Sequence, residues 1–299
     1  MNYRDAPERN IRIALVLPSL VGGGAERSVL RLTRVFLADG YRVDIVVRRA
    51  KGELLGLLPD EARLFEMGCD RVGAIPVAFA RYLRSEQPDA VIANMWPLTS
   101  MCVIGHRLAR SKSRMAVVEH APLSPVPRYR SWRRRPFLRS TLALSCRLAD
   151  VCIAVSSGVA DDIARLAGLR RDRIKVIYNP VEISADAGPE DAEDIWDGTQ
   201  AKRILTVGRL SEEKNQLLLL EAFSRVIEEV DARLVILGEG PLRGALERRV
   251  AELGLEHAVK LPGFMMNPVP AYKSADLFVL SSNYEGFGNV IVEALACGA

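Results

Sequence analysis

Short, uninterrupted apolar runs recur along the chain, and most are followed by a segment whose apolar residues repeat at helical spacing. Residues 11–17 read as a buried strand, followed by a glycine loop and a helix over 25–38. Further strands are predicted at 43–47, 62–66, 90–93, 115–119, 151–155 and 174–177, and helices around 75–86, 98–109, 138–148 and 156–168. Strands that are apolar on both faces and separated by helices predict a parallel sheet covered on each side. Residues 179–200 break the pattern: two prolines, two glycines and seven acidic residues with little periodicity read as a linker. Alternation then resumes, with strands at 204–207, 234–237, 259–261 and 277–280, and helices at 216–229, 241–253 and 289–296. Pro241 at a helix start and Gly254 at its end fit the asymmetry of helix termini. The fold class is therefore α/β. It comprises a Rossmann-like unit over 1–180, a linker over 181–200 and a second Rossmann-like unit over 201–299. Ligands are expected at the carboxyl ends of the strands.

Composition changes this picture little. The chain has 299 residues, 49% apolar and 26% charged, as in ordinary globular proteins. No apolar run approaches the ~18 residues that a spanning helix needs, and the first ten residues lack the apolar core of a signal peptide. The five cysteines, Cys69, Cys102, Cys146, Cys152 and Cys297, form no C-x-x-C pair, so free thiols in a reducing cytoplasm are expected and a metal site is not. Charge is more telling. Residues 1–180 hold 30 Lys and Arg against 17 Asp and Glu, whereas residues 181–299 hold 11 against 20. A basic first half suits an anionic partner: a membrane surface, a phosphorylated acceptor or nucleic acid.

Three segments at strand-to-helix junctions carry candidate chemistry. Gly22, Gly23 and Gly24 precede Ala25-Glu26-Arg27-Ser28. Val207-Gly208-Arg209-Leu-Ser-Glu-Glu-Lys214-Asn215 follows the strand at 204–207. Glu285-Gly286-Phe287-Gly288-Asn289-Val-Ile-Val-Glu293 opens the last helix. A guanidinium and an ammonium five residues apart can grip both phosphates of a nucleoside diphosphate. Glycines let the backbone approach a ligand, and a helix N-terminus attracts its anionic part. Glu293 interrupts the apolar run 290–296, where an unpartnered carboxylate would be costly to bury. The first loop also admits a dinucleotide reading. Arg27 is too bulky for the close helix–strand contact that such a site requires, and Arg48-Arg49 stand where a site for NAD wants an acid, although arginines would suit NADP.

In this order, the three segments resemble the G-G-A-E-R start, the G-R-L-x-x-x-K-N loop and the E-x7-E signature of family 4 (glycosyl transferases group 1), retaining glycosyltransferases of the GT-B fold. The resemblance spans nearly the whole chain. It implies two Rossmann-like domains facing across a cleft, with nucleotide sugar held mainly by the second domain and an acceptor hydroxyl on the first. The family's second domain continues past this point, so the second domain here is expected to be truncated. In the resembling family Arg209 and Lys214 neutralise the leaving diphosphate without a metal, Glu285 touches the donor sugar and Glu293 binds the ribose hydroxyls. Gly22, Gly23, Gly24, Gly208, Gly286, Phe287, Gly288 and Asn289 would complete the donor site. The family often carries a histidine where His120 follows the strand at 115–119. His120 could therefore bond a sugar hydroxyl, or could be structural, as His106 and His257 look to be.

The segment 127–137 sets Arg128, Arg130, Arg133, Arg134 and Arg135 among Tyr129, Trp132 and Phe137. Basic and aromatic residues together suit an anionic membrane interface or a lipid-linked acceptor, and no nucleic-acid motif accompanies them. A solvated loop with locally packed aromatics is the alternative. The expectation is a metal-independent hexosyltransferase, cytoplasmic and peripheral on the inner face of the membrane. It would use a nucleoside-diphosphate sugar, a uridine diphosphate sugar by default, in polysaccharide or lipopolysaccharide assembly. A sugar-nucleotide epimerase or hydrolase of the same fold, and a non-catalytic nucleotide-sugar-binding remnant, are the alternatives.

Overall fold

The computed structural model describes residues 10–129, 134–181 and 193–299. Arg130, Trp132 and Arg133 of the basic segment lie outside the described residues, as do the side chains of Arg128 and Arg134. Contacts divide the chain into two compact units, Met1–Pro180 and Val181–Ala299.

The first unit runs β1 (Arg12–Leu17), α1 (Gly24–Ala38), β2 (Arg42–Val47), β3 (Arg63–Glu66), α2 (Ile75–Glu86), β4 (Ala90–Asn94) and α3 (Leu98–Ala109). It continues through β5 (Arg114–Glu119), α4 (Arg134–Leu148), β6 (Val151–Ala154), α5 (Ser157–Ala167) and β7 (Ile174–Val176). The seven strands are parallel, in the order β3-β2-β1-β4-β5-β6-β7. Their buried faces (Leu15, Val16, Leu17, Ile45, Val46, Val91, Val117) explain why the strands read as continuous apolar runs. The order reverses between β1 and β4, so the crevice at the carboxyl ends of these two strands is a topological switch point, where ligands of open α/β sheets bind.

The second unit contains α6 (Glu193–Trp196), β8 (Lys202–Val207), α7 (Gln216–Val226), β9 (Ala232–Leu237) and α8 (Arg243–Glu252), followed by β10 (Val259–Gly263), α9 (Val269–Ser274), β11 (Leu277–Phe278) and α10 (Asn289–Cys297). Its four parallel strands are ordered β10-β9-β8-β11, fewer than the seven of the first sheet. The switch point here lies between β8 and β11, which sets the two motif-bearing loops side by side. Three differences from the sequence reading have physical causes. Residues 193–200, expected as linker, belong to this unit, because Ile195 and Trp196 bury their side chains against Leu205, Val235 and Tyr272. Helix α9 begins on Pro268 and Pro270, which serve the first turn of a helix rather than breaking it. The last strand is short, two residues rather than four.

The loop after β8 is fixed by the loop after β9. The Gly208 amide donates to Leu237 O at 2.9 Å, the Leu210 amide to Glu239 O at 3.0 Å, and the Leu242 amide to Leu210 O at 3.1 Å. Gly238 makes this crossing possible: its φ is 140°, and a Cβ there would stand 2.0 Å from Gly208 O. Gly238→Ala should lower the stability of the second unit by more than about 2 kcal/mol in urea unfolding, through backbone strain and overlap.

Candidate functional site

The second unit gathers most of the expected residues into one cluster. Asn215, left-handed at φ 51°, ends the loop after β8 at the N-cap position of α7, and its Nδ2 donates to Asn283 Oδ1 at 3.2 Å. Beside it, Lys214 Nζ donates to Glu285 Oε1 at 2.5 Å across 71 residues of sequence, and the two side chains are 20% and 26% exposed. Ser282 Oγ donates to the same carboxylate oxygen at 2.6 Å. The loops are also joined through their main chains. Ser281 Oγ donates to Lys214 O, the Asn283 amide to Glu213 O and Asn283 Nδ2 to Glu212 O, at 2.9, 2.8 and 3.0 Å. The Arg209 guanidinium is exposed, while its carbonyl is held by Gln216 Nε2 at 2.9 Å and Ser211 Oγ at 3.3 Å. Gly208 lies along the Lys214 stem, where a Cβ would meet Cε at 3.6 Å.

At the start of α10, Gly288 is left-handed (φ 74°) and its carbonyl accepts from the Ile291 amide at 2.9 Å, so the N-terminus of this helix follows directly on the glycine turn. Glu293 is buried, and the Tyr272 hydroxyl donates to its Oε2 at 3.2 Å. This meets the expectation that a carboxylate in that apolar run needs a partner. Phe287 and Asn289 are part-exposed beside Gly288.

The remaining expected residues stand in the first unit, at the carboxyl ends of its strands. The Gly22 amide donates to Glu53 Oε2 at 3.2 Å, and a Cβ on Gly23 would meet Glu26 Oε2 at 2.3 Å. Two carboxylates therefore border this glycine loop, which favours hydroxyls there and disfavours phosphate. His120 follows β5, and its Nε2 lies 2.8 Å from Asn94 Oδ1. Burial lowers its pKa to about 4. Its neighbour Glu119 is buried at the start of α3, accepting from the Trp96 amide at 2.9 Å and the Thr99 hydroxyl at 2.8 Å. Desolvation outweighs those donors and raises its pKa to about 7. In the basic segment, Tyr129 and Phe137 stand edge-on to Trp96, between β4 and α3, with centroids 5.0 and 6.4 Å away, and Phe137 stays half-exposed.

Residues 22–185 match Glycosyltransferase Family 4, and residues 191–299 match Glycosyl transferases group 1. The chain belongs to Glycosyltransferase Family 4. Among its relatives is the N-acetylgalactosamine-N,N'-diacetylbacillosaminyl-diphospho-undecaprenol 4-alpha-N-acetylgalactosaminyltransferase of Campylobacter jejuni, 37% identical over 149 residues. That match covers 50% of this family 4 chain and 40% of the relative, so the chain spans about two-fifths of that protein's length. The lipopolysaccharide core biosynthesis glycosyltransferase LpsE of Rhizobium meliloti is 26% identical over 281 residues, covering 92% of this chain and 74% of LpsE. The fold is that of Anabaena Alr3699/HepE, solved in complex with UDP-glucose. The TM-score is 0.79 at 23% identity, over 97% of this chain and 79% of that one.

Several polar residues of this family 4 chain that organise the sites were not singled out from sequence: Ser281, Ser282, Asn283, Gln216, Asn94 and Glu119. Only Ser281 and Ser282 carried a signal, as two hydroxyls between a strand and a glycine turn.

Glu119 and His120 make opposed contributions to stability. A carboxylate raised from 4.5 to about 7 keeps a proton in the folded chain that the unfolded chain has released. Its contribution is complete below pH 4.5 and is lost as pH rises through about 7. A histidine lowered from 6.5 to about 4 does the reverse, contributing fully above pH 6.5 and losing that contribution as pH falls through about 4. The pair should leave little net slope between pH 4.5 and 6.5. In urea unfolding, Glu119→Gln should show stability climbing from pH 4 to 6.5, and His120→Gln should show it falling from pH 4.5 to 7. Each change should be on the order of 3 kcal/mol.

Proposed function

We propose that this chain is a retaining glycosyltransferase that moves a hexose from a nucleoside-diphosphate sugar to a hydroxyl of a glycan or lipid-linked acceptor. The observation that carries the reading is the cluster of Arg209, Lys214, Glu285 and the α10 N-terminus at the switch point of the second sheet. A diphosphate leaving group gathers negative charge as the glycosidic bond breaks. Arg209 and Lys214 supply fixed positive charge, and the amides of α10 supply dipoles, so no metal is required for that stabilisation. Lys214 can exchange its carboxylate partner for a phosphate, which releases Glu285 Oε1 to a sugar hydroxyl. With Ser282 and Lys214 on that oxygen, Glu285 is a weak nucleophile and a good hydrogen-bond acceptor. Retention then follows from a front-face path in which the departing phosphate takes the acceptor proton. In the first unit, Glu26 and Glu53 border the glycine loop with carboxylate oxygens suited to sugar hydroxyls.

Uridine diphosphate is supported as the carrier by the UDP-glucose complex of Alr3699/HepE. A lipid-linked or lipopolysaccharide acceptor is supported by the names of the Campylobacter and Rhizobium relatives. A peripheral place on the cytoplasmic face of a membrane is supported by α4. No acid interrupts its sequence. Its outer face exposes Arg135, Arg139 and Arg147, with Phe137 at 56% and Leu144 at 40% exposure. Among the described residues, no helix is long and apolar enough to cross a membrane.

Arg209→Ala and Lys214→Ala should each lower transfer from a uridine diphosphate sugar to a lipid-linked acceptor about a hundredfold. Unfolding free energy should change by less than about 1 kcal/mol, because the Lys214–Glu285 pair is part-exposed. Near-normal transfer by both variants would refute the assignment, and diphosphate release that is indifferent to acceptor would indicate a hydrolase. Changing Arg135, Arg139 and Arg147 together to Ser should weaken sedimentation with phosphatidylserine-containing vesicles roughly a hundredfold, at about 1 kcal/mol per arginine. Unchanged sedimentation would remove the membrane proposal.

A further inference from the structure

Asn94 ends β4 and is buried. Its Nδ2 lies 3.1 Å from Val16 O on β1 and 3.1 Å from Ile92 O on its own strand. Both carbonyls can only accept, so the nitrogen of the amide must face them and Oδ1 must face the ring of His120. An amide oxygen can only accept as well. His120 Nε2, 2.8 Å away, therefore carries the proton, and in a neutral imidazole Nδ1 is then bare. Nδ1 is buried and has no hydrogen-bond partner among the described residues. A buried acceptor without a donor costs about 1–3 kcal/mol, so such an atom is rare and calls for a reason. Adjacent Glu119 is not a partner of Nδ1: its two oxygens meet the Trp96 amide and the Thr99 hydroxyl instead.

We propose that Asn94 is a positioning residue that fixes His120 as its neutral Nε2–H tautomer, leaving Nδ1 as the ring's one acceptor. The bearing of this residue on sugar transfer rests on the glycosyltransferase reading above; the tautomer does not. Because the amide is clamped by two strands, the proton on His120 is set by the framework of the sheet. Burial of the ring acts in the same sense, disfavouring the imidazolium that would put a second proton on Nδ1.

The test uses the full chain labelled with 15N-histidine, with His120 assigned by the signal lost in His120→Gln. Long-range proton–nitrogen spectra at pH 7 should show one neutral ring, protonated at Nε2. A ring protonated at Nδ1, or doubly protonated, would overturn the proposal. Asn94→Leu removes Oδ1 at similar volume and should give a mixture of tautomers. With it, kcat for transfer should fall roughly ten-fold, the size of one neutral hydrogen bond, while donor KM stays within about two-fold. Asn94→Asp, protonated so that its hydroxyl donates toward the Val16 and Ile92 carbonyls, keeps an acceptor facing Nε2 and should preserve the single tautomer. An Asn94→Leu chain that retains the pure Nε2–H form would show that Asn94 does not set it. If Asn94→Leu does not fold, the unmodified chain and Asn94→Asp decide the question. If the unmodified chain transfers no sugar, the glycosyltransferase reading fails while the spectra still settle the role of Asn94.

Discussion

The contact between the loop after β8 and the loop after β11 is the constraint on which the candidate donor site depends. Lys214 and Glu285 neutralise each other at 2.5 Å, Ser282 adds a second donor to the same oxygen, and three further hydrogen bonds from Ser281 and Asn283 tie the backbones. An isolated part-exposed pair contributes little to stability. Its value here is geometric. Strand order places β11 beside β8, and the pair with its serine and asparagine supports converts that adjacency into a single constellation. Gly238 extends the same logic to the far side of the loop, by letting the chain after β9 lie against Gly208.

The first unit poises its site by contrast. Glu119 and His120 are sequence neighbours at the end of β5, and both are driven toward neutrality by burial, one by holding a proton and the other by giving one up. Each is engaged by the stretch that runs from the end of β4 into α3: Trp96 and Thr99 hold the carboxyl group, and Asn94 holds the ring. The carboxyl ends of β1, β4 and β5 are thereby stitched by side chains where strand pairing has run out, at a position where open α/β sheets accept ligands.

Much of this architecture was legible in the residue pattern, because buried parallel strands are apolar on both faces and the helices between them keep a clear stripe. Arg209, Lys214, Glu285 and Glu293 were legible because charge beside glycine, or inside an apolar run, is conspicuous. Asn94, Gln216 and Ser282 were not. A small polar residue announces nothing until its partner's position is known, and those partners lie 78, 7 and 3 residues away. Residues 193–200 read as linker because acids surround them, yet the indole of Trp196 decides their place: it is buried, and its Nε1 reaches Ser274 Oγ at 2.8 Å.

The Lys214–Glu285 pair has a consequence for ionic strength. In the proposed donor site, a lysine that exchanges an internal carboxylate for a phosphate gives up no ion to the solution, whereas the exposed Arg209 guanidinium would shed its own counterion atmosphere on closing on the same ligand. Affinity for a diphosphate should therefore decline with added salt only about as steeply as one cation demands, although two cations take part.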